Sequence, residues 1–150
     1  VQSFLQGVGQ HAEQASQRTG LPSSFIVGQA ALESGWGRRQ IKMSDGSTSH
    51  NLFGIKAGPS WKGKVAEVVT TEYVGGVAQR KVAKFRAYDS YAEAFNDYAS
   101  MLLKNPRYQS VLASGQTVAG FAQGMQKAGY ATDPAYADKL ARVIRRTMST

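Results

Sequence analysis

Pro22-Ser23-Ser24-Phe25-Ile26-Val27-Gly28-Gln29-Ala30-Ala31-Leu32-Glu33-Ser34-Gly35-Trp36-Gly37 reads as a helix that carries one charge, at Glu33. At helical spacing Glu33 shares a face with Ile26, Gln29 and Ala30, so its side chain is directed toward packed apolar surface rather than water. Burial disfavours the carboxylate, and so does the negative end of the helix dipole in the last turn. Gly35-Trp36 marks a sharp exit beside an aromatic wall. The expectation is a carboxyl group that stays protonated near neutral pH. Taken alone, Glu33 reads first as a partly buried, hydrogen-bonded structural residue, and it is the remaining motifs that reverse that preference.

The neighbouring segments supply a framework for this helix. Leu5, Val8, Ala12 and Ala15 repeat with a helical period between about Gln2 and Arg18, and Thr19-Gly20-Leu21-Pro22 breaks that helix. From Lys42 to Lys64 the chain turns to Gly, Ser, Lys and Asn with a few aromatics, which predicts a loop region walling a cleft rather than filling a core. Val65 to Tyr88 is rich in Val, Thr, Tyr and Phe around Gly75-Gly76 and predicts a β-hairpin with Glu72 on its first strand. Ser90-Tyr91-Ala92-Glu93 is a capping box that opens a helix from about Tyr91 to Lys104. Asn105-Pro106 starts a short helix and Val118 to Lys127 forms another. Asp133-Pro134 supplies the cap and first turn of a last helix ending near Met148.

With no internal repeat or linker, 150 residues read as one α+β, mainly helical domain interrupted once by a small β-lobe. Hydrophobic residues at 42% against 19% charged exclude a disordered chain. No cysteine is present, so the core stands without disulfides, and no apolar run approaches the length of a membrane span. Val1 without a preceding Met suggests a fragment of a longer protein. Eighteen Lys and Arg against ten Asp and Glu give a net charge of +8, which favours an anionic polymer as partner. The cations are scattered and no nucleic-acid-binding motif accompanies them, so adhesion to an anionic matrix such as a bacterial cell wall fits better than nucleic acid. His11 and His50 form no metal pattern with neighbouring acids, and neither metal nor cofactor is expected.

Acid-bearing helix, hairpin lobe and helical bundle follow one another in the order of the lysozyme-like fold, in which substrate lies between a helical lobe and a β-lobe. Four motifs make the resemblance specific: Ala31-Leu32-Glu33-Ser34-Gly35-Trp36-Gly37, Asn51-Leu52-Phe53-Gly54-Ile55-Lys56, Phe85-Arg86-Ala87-Tyr88 and Gly129-Tyr130-Ala131-Thr132-Asp133-Pro134. In this order they resemble glycoside hydrolase family 73, β-N-acetylglucosaminidases acting on peptidoglycan, over essentially the whole chain. The likeness is strongest to the hydrolase domain of a flagellar rod-assembly protein. It implies a periplasmic setting, peptidoglycan glycan strands as substrate, and flagellar rod proteins as partners through an N-terminal region not present in this chain.

Carried over to this sequence, the family pattern makes Glu33 the general acid, Glu72 the candidate second carboxylate and Tyr130 a phenol near the scissile bond. A glycosidase pair needs one carboxyl to protonate the leaving oxygen and another group to stabilise the oxocarbenium-like transition state or activate water. Strand alternation sets Glu72 with Thr70 and Val74, while Tyr73 points the other way. A solvent-facing ion pair is an equal reading of Glu72, and core packing is one of Tyr130. Asn51 either fixes its own loop or hydrogen-bonds an acetamido group, and Phe53 offers a flat apolar face. Trp36, Trp61, Tyr73 and Tyr91 are stacking candidates that also suit core or rim packing. Asp97 either forms a structural salt bridge or lines the cleft floor, and Asp133 is read as a helix cap. An endo-acting glucosaminidase is the first reading, a muramidase or lytic transglycosylase the second, and a non-catalytic wall-binding or rod-scaffolding module the third.

Overall fold

The computed structural model describes residues 1–149. Its elements run α1 (Gln2–Thr19), α2 (Ser23–Ser34), β1 (Lys64–Val74), β2 (Val77–Ala87), α3 (Tyr91–Lys104), a 3-10 turn (Pro106–Tyr108), α4 (Gln109–Ser114), α5 (Val118–Lys127) and α6 (Tyr136–Met148). The architecture is a helical body with one two-stranded antiparallel lobe, as expected for the lysozyme-like arrangement. No helix among the described residues is long and apolar enough to cross a membrane.

α2 is the centre of the body because it is apolar on every side, and such a helix is stable only when surrounded. Phe25, Ile26, Val27, Ala30 and Ala31 are all buried, with α1 and α6 packed against the helix. Gly28 sets the approach of α6: a β-carbon there would lie 2.5 Å from Ile144 Cγ1 and 3.0 Å from Ile144 Cα. Only a residue without a side chain permits the two backbones to come so near. α1 contributes Val8, Ala12 and Ala15 to the same core and ends at left-handed Gly20. α3 adds Phe95, Tyr98, Ala99 and Leu102, its Ser90 cap accepting from the Glu93 amide at 3.1 Å.

The hairpin has a two-residue turn in which Gly75 and Gly76 both take positive φ, 58° and 82°, closing Val74 against Val77. This is the geometry of a type I′ turn, whose twist matches that of the strands. Only the base of the hairpin joins the core, through Ala66, Phe85 and Ala87; Val69, Val74, Val77 and Val82 farther out are exposed. The base is tied down by Ala57 N–H to Lys84 O and Arg86 N–H to Ile55 O, each 2.9 Å.

Two expectations are modified. The segment between Lys42 and Lys64 was read as cleft wall rather than core; Gly54, Ile55, Lys56 and Gly58 do line a cleft, but Leu52, Phe53 and Ile55 at its middle are also buried core. The last helix begins at Tyr136 rather than at Pro134; Asp133 still caps the preceding turn, its Oδ1 accepting from Ala135 N–H at 2.8 Å.

Candidate active site

Two helix endings built on the same backbone device place the principal side chains. α2 terminates when Gly35 enters the left-handed region at φ 58°, and Trp36 N–H reaches back to Ala31 O at 2.8 Å. α5 terminates in the same manner at Gly129, φ 79°, with Tyr130 N–H to Met125 O at 3.1 Å. Both are the six-to-one bond of the Schellman ending, which turns the chain sharply and satisfies a terminal carbonyl. One puts Glu33 in the last turn of α2; the other projects Tyr130 from the end of α5. They meet on one cleft of about 630 Å³, lined by Glu33 and Gly54 on the body, Thr70, Glu72 and Tyr73 on β1, and Tyr130 with Tyr136 opposite.

Glu33 is half-buried, and its carboxyl group is enclosed by neutral groups. The Tyr136 hydroxyl donates to Glu33 Oε2 at 2.7 Å. Glu33 Oε1 lies against the backbone of Gly54, whose φ of 64° and missing side chain leave the oxygen its place. Burial raises the Glu33 pKa from 4.5 to about 7, and the Tyr136 hydrogen bond opposes part of that rise. The expected direction therefore holds, with burial as its main cause.

Glu72 lines the same cleft and forms an ion pair with Lys56 Nζ at 2.5 Å. Glu72 is thus ion-paired, but not as a solvent-facing charge: its side chain is 19% exposed within the cleft, and its lysine comes from the Asn51–Lys56 motif. Two carboxyl groups in contrasting surroundings, one enclosed and one salt-bridged, share one cavity. Such contrast is how two like side chains take different roles. Tyr130 donates its hydroxyl to Phe53 O at 2.6 Å, and its ring stacks near Tyr136, 6.0 Å between centroids. Burial pushes its pKa well up, so it presents a neutral phenol. Tyr73 also lines the cleft, and its backbone N–H donates to Thr132 Oγ1 at 3.0 Å, joining the end of the hairpin to the loop that carries Tyr130.

Several residues assigned to substrate binding from sequence lie elsewhere. Phe53 is fully buried, stacked on Tyr98 at 4.0 Å and edge-on to Phe95, so it offers no face to the cleft. Asn51 is spent on its own loop: its amide donates to Ile55 O and Arg86 O, and its Oδ1 accepts from Phe53 and Ile55 N–H. Of the two readings of Asn51, loop fixation is the one the structure carries. Asp97 is held by Arg86 at 2.9 Å and by the Tyr88 hydroxyl at 2.5 Å, which is the salt-bridge reading rather than the cleft-floor one. Tyr91 donates to Gln40 Oε1 at 2.8 Å and packs against His50, outside the cleft. Trp36 sits between Phe4 and the Arg146 guanidinium, and Trp61 packs against Tyr88 beneath Arg86; neither lines the cleft.

Sequence reasoning missed Tyr136 and gave Gln29 no role. A fully buried Gln29 in an otherwise apolar helix is the signal that pointed to them, since a buried amide requires partners. No cluster of three or more acidic or histidine side chains able to hold a metal occurs among the described residues.

Comparison with known proteins agrees with this geometry. Residues 9–149 match the family model described as mannosyl-glycoprotein endo-beta-N-acetylglucosaminidase. The peptidoglycan hydrolase FlgJ of Escherichia coli strain K12 is 50% identical over 147 residues, which is 98% of this chain and 47% of that protein. The chain thus spans about half the length of such curated relatives. Among solved structures, a peptidoglycan hydrolase mutant from Sphingomonas sp. A1 superposes with a TM-score of 0.93 at 48% identity, covering 99% of both chains. A C-terminally truncated glycoside hydrolase domain of Salmonella typhimurium FlgJ gives 0.78 at 48% identity, covering 99% of this chain and 97% of that one. The match over nearly the full length, on a fold with an enclosed glutamate facing a two-lobed cleft, shows that the chain belongs to the glucosaminidase family, glycoside hydrolase family 73.

Proposed function

We propose that this domain hydrolyses the β-1,4 bond following N-acetylglucosamine in peptidoglycan, with Glu33 as general acid. The observation that carries the reading is the enclosed Glu33 carboxyl, its pKa near 7, facing a cleft between two lobes. Protonating the glycosidic oxygen as the bond breaks relieves the leaving group of an unfavourable negative charge. A donor with pKa near the working pH is protonated often enough to act and acidic enough to transfer.

Glu72, across the same cleft, is the group proposed to face the developing positive charge of the sugar. Its ion pair with Lys56 holds it in the cleft wall and supplies an electrostatic partner. Tyr130 is proposed to orient substrate or water near the reacting centre. Its hydroxyl proton is directed to Phe53 O, so what it offers outward is an acceptor lone pair and a ring face. Tyr73 is the remaining aromatic of the proposed sugar-binding surface.

The relatives named FlgJ support a flagellar setting, in which the enzyme opens the wall locally for the growing rod in the periplasm, with rod proteins bound by a part of the protein outside this chain. Digestion of purified peptidoglycan followed by borohydride reduction and mass spectrometry tests the bond. Reduced N-acetylglucosamine ends are expected; reduced muramic or anhydro-muramic ends would reassign the domain to a muramidase or transglycosylase.

A further inference from the structure

Behind Glu33 lies a chain of three buried polar side chains. The Tyr98 hydroxyl donates to Gln29 Oε1. Gln29 Nε2 donates to the Tyr136 hydroxyl at 2.9 Å, and that hydroxyl donates to Glu33 Oε2 at 2.7 Å. Gln29 and Tyr98 are wholly buried and Tyr136 is 4% exposed, so water does not offer alternative partners.

The direction of this chain follows from the group at its inner end. Tyr98 has Gln29 as its side-chain hydrogen-bond partner among the described residues, and a buried hydroxyl proton without an acceptor is costly. Tyr98 therefore donates, which sets the Gln29 oxygen toward Tyr98 and its amide N–H toward Tyr136. Tyr136 receives a proton on its lone pair and must turn its own toward Glu33. Turning the Gln29 amide over orphans the Tyr98 proton, and reversing the last link orphans that of Tyr136.

Resting on the assignment of Glu33 as the acid, the geometry points to Gln29, Tyr98 and Tyr136 as positioning residues that hold the transferable proton of Glu33 on Oε1. With Oε2 occupied as an acceptor, the neutral acid carries its proton on Oε1, the oxygen against Gly54. Proton transfer breaks the Oε1–H bond and forms an O–H bond to the leaving glycosidic oxygen. The negative charge left on Glu33 is stabilised at Oε2 by the Tyr136 hydroxyl already in place. Other groups facing this site are accounted for differently. Tyr130 donates to Phe53 O, Lys56 is paired with Glu72, Arg86 with Asp97 and Lys139 with Asp133. Arg107 lines the cleft with its guanidinium over the Tyr108 ring. Among the described residues Tyr136 alone hydrogen-bonds the Glu33 side chain.

The test is the pKa of Glu33, read by carbon NMR of glutamate-labelled protein with Glu33→Gln to assign the resonance, beside the pH dependence of peptidoglycan hydrolysis. Tyr136→Phe removes a donor to the carboxylate, so the Glu33 pKa rises by about one unit and the basic limb of the activity profile moves up with it. Tyr98→Phe, which touches neither Glu33 nor the cleft, frees Gln29 to turn and gives a smaller rise of the same sign. It also keeps the test in hand if Tyr136→Phe does not fold. An unchanged or lowered pKa overturns the proposal, because with the chain reversed Tyr136 would stabilise the neutral acid. The NMR titration stands apart from catalysis: if Glu33→Gln retains hydrolysis, the assignment of the acid fails whatever the titration shows.

Discussion

The backbone of Gly54 lies so close to Glu33 that a β-carbon on it would sit 2.9 Å from Glu33 Oε1. The glycine of the Asn51–Lys56 motif thus has a role in the site although it carries no functional group. Gly54→Ala would both push on the carboxyl and force a side chain into a φ of 64°. Hydrolysis is expected to fall at least roughly tenfold, a displacement of the acid by a fraction of an ångström being sufficient. Stability should fall by about 1–3 kcal/mol. Steady-state kinetics beside thermal unfolding separates the two losses, and a fully active variant would show that Oε1 has room to move.

Glu33 also makes stability depend on pH in a defined window. Its pKa rises from 4.5 to about 7 on folding, so the native state binds more protons than the unfolded chain between those values. The stability present below pH 4.5 is lost as pH rises through about 7, by about 3 kcal/mol at most. Glu33→Gln removes this dependence. Its melting temperature relative to the parent protein should therefore increase between pH 5 and pH 8, and parallel curves for the two proteins would contradict the enclosed acid.

Gly28 controls how closely α6 approaches α2, and through it the distance between Tyr136 and Glu33. Gly28→Ala places a methyl group 2.5 Å from Ile144 Cγ1 and is expected to cost about 1–3 kcal/mol from overpacking. For a domain of this size that lowers the melting temperature by roughly 2–10 °C. A neutral effect in calorimetry would mean that the helices separate freely.

One bond at the hairpin, Tyr73 N–H to Thr132 Oγ1, spans from the β-lobe to the Tyr130 loop. Thr132→Val keeps the shape and removes the acceptor. Exchange of the Tyr73 amide should accelerate roughly 3- to 10-fold, in line with the net worth of one hydrogen bond, while amides of α2 and α3 remain as protected as before. No acceleration would show that this contact does not restrain the lobe. Gly75-Gly76 lies at the far turn of the hairpin, whereas the base is held by the Ala57 and Arg86 amides.

Helix and hairpin positions were legible because each rests on local chemistry. The capping box at Ser90–Glu93, the Gly75-Gly76 turn and the apolar period of α1 act within a few residues of themselves. Glu33 was legible for a related reason, since a lone carboxyl on an apolar helix can be judged from its own neighbours. The roles of Asn51 and Phe53 depend on partners far along the chain, and that of Asp97 on Arg86 and Tyr88, which lie outside its own helix. Asn51 bonds Arg86 O, 35 residues away, and Phe53 stacks on Tyr98. A loop rich in Gly, Ser and Lys suggested a cleft wall, which Gly54, Lys56 and Gly58 do form, but its apolar residues also fold inward around the Asn51 amide. Tyr136 was hidden because a tyrosine in the first turn of a helix looks unremarkable until Gln29, 107 residues earlier, needs a partner.

In the proposed mechanism the Glu33 proton drives bond cleavage. Its most direct measurement compares the rate of new reducing ends released from purified peptidoglycan by the parent protein and by Glu33→Gln at pH 6, with circular dichroism establishing that both are folded. Loss of the proton donor predicts a rate at least about 100-fold lower in the variant. A folded Glu33→Gln protein within a few-fold of the parent rate would contradict the account.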